Sequence, residues 1–386
     1  MKFETRAIHV GEEPNIDHTG DVTIPVHLAS TYAREHVDVP TKGHEYSRSD
    51  NPTRLALEQR LAVLEDAKYG LAFASGLAAE TNILLALLKA GDHMVAFNDL
   101  YGGTRRLFDK IFNERFDISI TYIDATILDL VEKSIKSNTK LIWLETPTNP
   151  LLRICDIRKI SQIAHQKGIL VVVDNTFLSP YFQRPLNLGA DIVMHSTTKY
   201  INGHSDAVGG CVMLNDDRNF ERLQFTQNSA GAIMSPFDSY LVLRGLKTLG
   251  IRMNAHQKNG MILAEYLKNK KEVKQILYLG LQEHPQYDLA STQSSGFGGM
   301  VSFELDANLE DSKRFVENLQ IFATAESLGG VESLIEIPSI MTHASVSPEE
   351  RQKIGISDCL IRMSIGIEHA DDLIKDLEQA FDQLKK

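Results

Sequence analysis

From Pro52 onward, short apolar runs alternate with stretches whose apolar positions recur at helical spacing. Asn51 can cap a helix that has Pro52 in its first position, and Leu57, Leu61 and Leu64 fall on one face of it. Apolar runs follow near 71–74, 94–97, 118–123, 141–144, 169–173, 192–194 and 211–214. Most are separated by segments of helical length, the crossover connections that parallel strands need. The pattern predicts an α/β fold: a mostly parallel sheet with helices on both faces and functional groups gathered at the strands' carboxyl ends.

Ahead of Asn51 the chain is rich in Pro, His, Gly and charged residues and has no clear period, so it reads as an extended arm. Beyond Gly250 the pattern shifts to longer amphipathic stretches, 254–269 and 371–385, with strands at 299–304 and 360–364. The expected organisation is an N-terminal arm over 1–50, a large domain over 51–250 and a smaller α+β domain over 251–386. There is no internal repeat and no low-complexity tract.

Size and charge narrow the functional classes. A chain of 386 residues can bury more than one core, and 43% hydrophobic with 24% charged residues is ordinary for a globular protein. The formal net charge of -11 disfavours nucleic acid and anionic membrane surfaces as partners and leaves a small molecule as the expected one. No apolar run approaches a membrane span, and residues 1–14 lack an apolar core of secretory length. Cys155, Cys211 and Cys359 lie far apart without metal-site spacing, so reduced thiols and a cytoplasmic setting are expected.

The richest chemical segment is 191–205, where an apolar strand ends in Ser196, Thr197, Thr198 and Lys199 ahead of a Gly-containing loop. A lysine there can form an imine with an aldehyde cofactor, and Ser196 and Thr198 can offer hydroxyls to a phosphate. The plainer reading is a solvated lysine closing a strand. Twenty-five residues upstream, Asp174 ends the run Val171-Val172-Val173, where a carboxylate can hold a pyridine nitrogen protonated; alone it could be a turn or capping aspartate. The segment Phe73-Ala74-Ser75-Gly76-Leu77 turns a strand into a helix, exposing N–H groups suited to phosphate, or simply making a tight turn. Tyr101 offers an aromatic face and a phenolic proton, with loop packing as its alternative. Asn149 can bond a ring substituent or cap the next helix. Nicotinamide chemistry fits less well, because Gly296-Phe297-Gly298-Gly299 precedes a strand instead of joining a strand to a helix. The histidines, His195 and His204 among them, show no metal-binding pattern.

Together these residues resemble the Cys/Met-metabolism family of pyridoxal-phosphate (PLP) enzymes. The resemblance spans nearly the whole chain, from Thr5-Arg6-Ala7-Ile8-His9 through Tyr46-Ser47-Arg48, Asn51-Pro52-Thr53-Arg54 and the lysine segment. It continues in Ala325-Glu326-Ser327-Leu328-Gly329-Gly330, in 341–346 and in Ile361-Arg362. It implies the aminotransferase-like (type I) PLP fold, with pyridoxal 5'-phosphate as cofactor and Lys199 as the lysine bonded to it. Asp174 would face the pyridine nitrogen, Tyr101 would stack on the ring, and Gly76, Leu77, Thr176, Ser196 and Thr198 would complete the cofactor site. Tyr46 and Arg48 match residues that reach the phosphate of a neighbouring subunit, which implies a homo-oligomer with shared sites, a homotetramer built as a dimer of dimers. Asn149, Ser327 and Arg362 match positions that hold the amino-acid substrate. The family usually has Gly where this chain has Asp50.

The implied activity is carbon–sulfur bond cleavage, with Lys199 moving the α-proton and Tyr101 protonating the departing sulfur. Glu45 and Glu326 match carboxylates facing the distal ammonium of cystathionine, where a methionine-specific site would be apolar. Elimination from cystathionine is expected ahead of γ-replacement with cysteine on an O-acylhomoserine, because 334–338 and 355–358 look more like the eliminating members. Elimination from methionine ranks lower. A non-catalytic binding protein on the same fold is the alternative from another class, but it has no need of Lys199, Asp174 and Tyr101 together.

Overall fold

The computed structural model describes residues 1–14, 19–344 and 346–384. Ser345 and Lys385, which fall in segments singled out above, lie outside these.

Seven strands form the larger sheet: β1 (Tyr69–Phe73), β2 (His93–Phe97), β3 (Ser119–Ile123), β4 (Thr139–Glu145), β5 (Leu170–Asp174), β6 (Ile192–Ser196) and β7 (Gly210–Leu214). Their order is β1-β7-β6-β5-β4-β2-β3. Each expected apolar run is a strand. Helices cover both faces, so successive side chains enter different cores: Leu71, Met94, Met194 and Val212 face one, Ala72, Val193, Cys211 and Met213 the other. In the second, the helix Pro52–Leu64 contributes Leu57, Leu61 and Leu64. Asn51 caps this helix, its side chain accepting from Thr53 N at 3.0 Å and Arg54 N at 3.4 Å.

One strand departs from the parallel arrangement. β7 runs antiparallel to both β6 and β1, because the link from Ser196 to Gly210 forms turns and no crossover helix. That link carries Lys199. The arm also differs from a wholly extended reading, since Phe3–His9 is helical and buries Phe3 and Ala7.

Five further strands, β8 (Val273–Leu277), β9 (Met300–Leu305), β10 (Ala323–Thr324), β11 (Leu334–Glu336) and β12 (Leu360–Ser364), form a second sheet in the order β10-β11-β12-β9-β8. The helices Leu249–Lys268, Leu309–Glu317 and Ala370–Leu384 pack on it around Phe303, Phe315 and Phe381. The first begins five residues ahead of the stretch read from periodicity, because Leu249 and Met253 are buried in the large sheet's second core. Among the described residues no helix is long and apolar enough to cross a membrane.

Candidate active site

Strand register gathers the chemistry. Glu145 on β4 pairs with Asp174 on β5, Asp174 with Met194 on β6, and Ser196 with Gly210 on β7. The carboxyl ends of three parallel strands therefore place Glu145, Asp174 and Ser196 along one rim, as expected for an open α/β sheet.

Above that rim lies a cavity of about 350 Å³. It is lined by Gly76, Leu77, Tyr101, Asn149, Asp174, Thr176, Ser196, Thr198, Lys199, Glu326, Ser327 and Arg362. These predicted residues come from both halves of the chain. Tyr46, Arg48 and Glu45 do not join them. Arg48 lies over the Tyr46 ring at 5.2 Å and donates from Nε to Asn228 Oδ1 at 3.2 Å, while Glu45 pairs with Arg34. Asp50, at the family's usual Gly, meets His44 Nδ1 at 2.6 Å.

Gly76 starts the helix Gly76–Leu87, and Ser75 caps it by accepting from Ala78 N at 3.0 Å. A Cβ on Gly76 would come within 3.2 Å of Ser196 Cβ, so glycine lets the helix start close against the end of β6. Gly76 and Leu77, whose first-turn N–H groups have no partner within the helix, line the cavity.

At the end of β5, Asp174 Oδ1 accepts from Thr176 N at 2.9 Å and Thr176 Oγ1 at 2.5 Å. Thr176 Oγ1 also accepts from Ser196 N at 2.9 Å, fixing neighbouring strand ends to each other. Burial raises the Asp174 pKa, opposed by the Thr176 bonds and the nearby His195. Glu145, whose Oε2 accepts from Tyr101 N at 2.9 Å, is held well above the usual carboxylate range by burial and then by Asp174. Tyr101 is pushed up by burial and by Glu326, so its phenol keeps its proton.

Across the cavity, Lys199 Nζ donates to Ser327 Oγ at 2.7 Å. Burial, then the charge of Arg362, pushes the lysine pKa down to about 8, with Glu336 and Glu326 opposing. Ser327 holds a φ of +92, an uncommon conformation for a residue with a Cβ. Arg362 on β12 donates from Nη1 to Asn149 Oδ1 at 3.0 Å and from Nη2 to Ser327 O at 2.6 Å. Its Nη1 also meets Glu336 Oε1 at 2.9 Å, and its Nε is buried without a partner.

Several contributors were not among the predicted site residues. Glu80 lies four residues beyond Gly76 on the same helix, a spacing that puts both on one face. Glu145, the last residue of β4, was given no role. Glu336 pairs with Arg362 through the β11–β12 register and accepts from Thr342 Oγ1 at 2.7 Å. Among the described residues no group of three or more His, Cys, Asp or Glu is placed to hold a metal ion.

The family described as Cys/Met metabolism PLP-dependent enzyme matches residues 4–382. The chain is 50% identical over 382 residues to a cystathionine γ-lyase of Dictyostelium discoideum, covering 99% of this chain and 98% of that protein. It is 52% identical to the cystathionine γ-lyase of Mus musculus, over 98% and 94% of the two chains. Identity with a cystathionine β-lyase of Coxiella burnetii is 50%, over 98% and 97%. A solved cystathionine γ-synthase of Xanthomonas oryzae pv. oryzae in complex with cystathionine superposes with a TM-score of 0.97 at 42% identity, over 100% and 99%. The chain belongs to the Cys/Met-metabolism PLP-dependent enzymes, has their type I fold and uses pyridoxal 5'-phosphate as its cofactor.

Proposed function

We propose that this enzyme cleaves cystathionine by γ-elimination, yielding, with uptake of water, cysteine, 2-oxobutanoate and ammonia. The observation that carries the reading is the chain of contacts from Lys199 through Ser327 to Arg362, which joins an amine whose pKa burial lowers to about 8 to a guanidinium lining the same cavity. An amino acid held by its α-carboxylate at Arg362 has its α-carbon within reach of that amine.

The cavity fits the cofactor. Gly76, Leu77, Ser196 and Thr198 offer a helix start and hydroxyls for the phosphate, with no lysine cluster needed. Asp174 is a half-buried carboxylate at its strand end whose hydrogen bonds come from Thr176 on Oδ1, and it suits a protonated ring nitrogen. Tyr101 supplies a ring face. When bound, the cofactor supplies an electron sink for charge developing at the substrate's α-carbon.

This chain's residues then move the protons. Lys199 takes the proton from the α-carbon and is placed to shuttle the β-carbon proton too. Tyr101 retains its proton and donates it to the departing sulfur. Asn149 and Ser327 hold the Arg362 fork, and Glu326 meets the distal ammonium. The large sheet with its helices, 51–250, is the cofactor-holding domain, and 251–386 brings Ser327 and Arg362 to it.

Tyr46, Arg48 and Glu45 serve the neighbouring subunit's cavity in a homotetramer of site-sharing dimers. The free thiols of Cys155, Cys211 and Cys359 suit a cytoplasmic setting. Replacement remains a second reading, favoured by the 42% identical γ-synthase. Product analysis of the holoenzyme tests the choice. Cystathionine should yield 2-oxobutanoate and cysteine. Pyruvate with homocysteine would mean β-elimination, and faster cystathionine formation from O-succinylhomoserine and cysteine would mean replacement.

A further inference from the structure

Glu80 is a buried acid at the cavity that the proposed chemistry leaves unused. It sits one turn beyond Gly76 and is 3% exposed. One oxygen accepts from Thr104 Oγ1 at 2.9 Å; the other, Oε2, is buried with no hydrogen-bond partner. Its titratable neighbours are Asp174, Glu145 and Tyr101, and no cation offsets its charge among the described residues. Burial and then Asp174 hold its carboxyl well above the usual range, since an unpaired buried carboxylate is costly.

We propose that Glu80 is a proton-bearing positioning residue at the ring end of the cavity, a neutral carboxyl that carries its proton on the unpartnered Oε2. The inference rests on the placement of Asp174 proposed above. Two neighbouring carboxylates do not both ionise cheaply, so a neutral Glu80 leaves the charge on Asp174, where the ring nitrogen needs it. Thr104, donating to the other oxygen, fixes which oxygen holds the proton. The same bond ties the helix Gly102–Leu107, which follows Tyr101, to the helix that starts at the phosphate end.

Infrared spectroscopy of the holoenzyme reads this proton directly. Subtracting the Glu80→Gln spectrum from wild type should leave a protonated-carboxyl carbonyl band that shifts in D2O. Glutamine keeps a neutral donor and an oxygen for Thr104, so cofactor dissociation on dilution should change by less than about threefold in Glu80→Gln but increase about tenfold or more in Glu80→Ala. No protonated band, or a carboxylate band in its place, overturns the proposal, as does a glutamine variant that loses cofactor as readily as the alanine one. If Glu80→Ala does not fold, the band and the glutamine variant decide alone. Asp174→Asn tests the underlying placement separately. Unchanged cofactor binding there removes that reading, whereas the infrared band still reports on Glu80.

Discussion

A lysine amine in water holds its proton to a pH of about 10.4. Burial and the charge of Arg362 push Lys199 down to about 8, and a lowered pKa means more neutral amine at any lower pH. Only the neutral amine attacks an aldehyde. Cofactor uptake by resolved protein, followed as visible absorbance, should therefore quicken about tenfold per pH unit below 8 and level off above it. A rate still climbing toward 10 would show that burial leaves the amine unperturbed. Lys199→Ala should give neither this absorbance nor appreciable turnover. Glu326 supports a second prediction, because it lies at the exposed side of the cavity, where it can meet a distal ammonium but gains nothing from a methyl thioether. Glu326→Val should lower kcat/KM for cystathionine about tenfold while sparing methionine, the partial exposure keeping the loss near the low end for a charged hydrogen bond. Equal losses on both substrates would remove that role. That Lys199, Asp174 and Tyr101 share one cavity was legible because each ends or closely follows a strand of the large sheet and has a residue type suited to cofactor chemistry. Glu336 was not, because its partner Arg362 is opposite only through strand register, which no local pattern specifies.

Elements position these residues through close backbone approaches as much as through side chains. Gly210 opens β7 and pairs with both Phe73 and Ser196. A Cβ there would lie 2.3 Å from Ser75 O and 2.8 Å from Gly76 Cα, so β7 and the turn into the phosphate-end helix touch backbone to backbone. Gly210→Ala should push that turn away, at a cost of about 1–3 kcal/mol. The expected result is a lower thermal midpoint together with easier loss of cofactor on dilution; a stable variant that retains its cofactor would show that the contact yields freely. At this scale the strands were readable because two-sided burial makes them near-continuous apolar runs, as in Val171-Val172-Val173. Strand direction was not, since hydrophobic period is the same for parallel and antiparallel neighbours. The reversal of β7 depends on a link that lacks a helix, and that link carries the lysine. The Phe3–His9 helix was missed for a related reason: at 7 residues it is too short for periodicity to register.

In the whole molecule, the arm ahead of Asn51 is tied down at its end yet leaves apolar side chains exposed. Asn51 donates to His27 O at 2.8 Å and Ser47 Oγ at 2.9 Å, so the arm's exit is fixed against the helix Pro52–Leu64. Val37 is 94% exposed, Val22 and Leu28 are also exposed, and Tyr46 with Arg48 stays clear of the chain's own cavity. Exposed apolar side chains on the arm that also carries Tyr46 and Arg48 are what a surface covered by a second copy would show. If Arg48 reaches the partner's cofactor phosphate, each site combines Lys199 of one subunit with Arg48 of the other. Arg48→Ala and Lys199→Ala chains would each be weak or inactive alone. Their mixed dimers would hold one site carrying both lesions and one carrying neither, so activity should rise in the co-expressed mixture above either variant. Were Arg48 to serve its own subunit, every site would carry one lesion and nothing would be recovered. Mixed dimers purified through two different tags, with no gain over the single variants, would exclude the shared site.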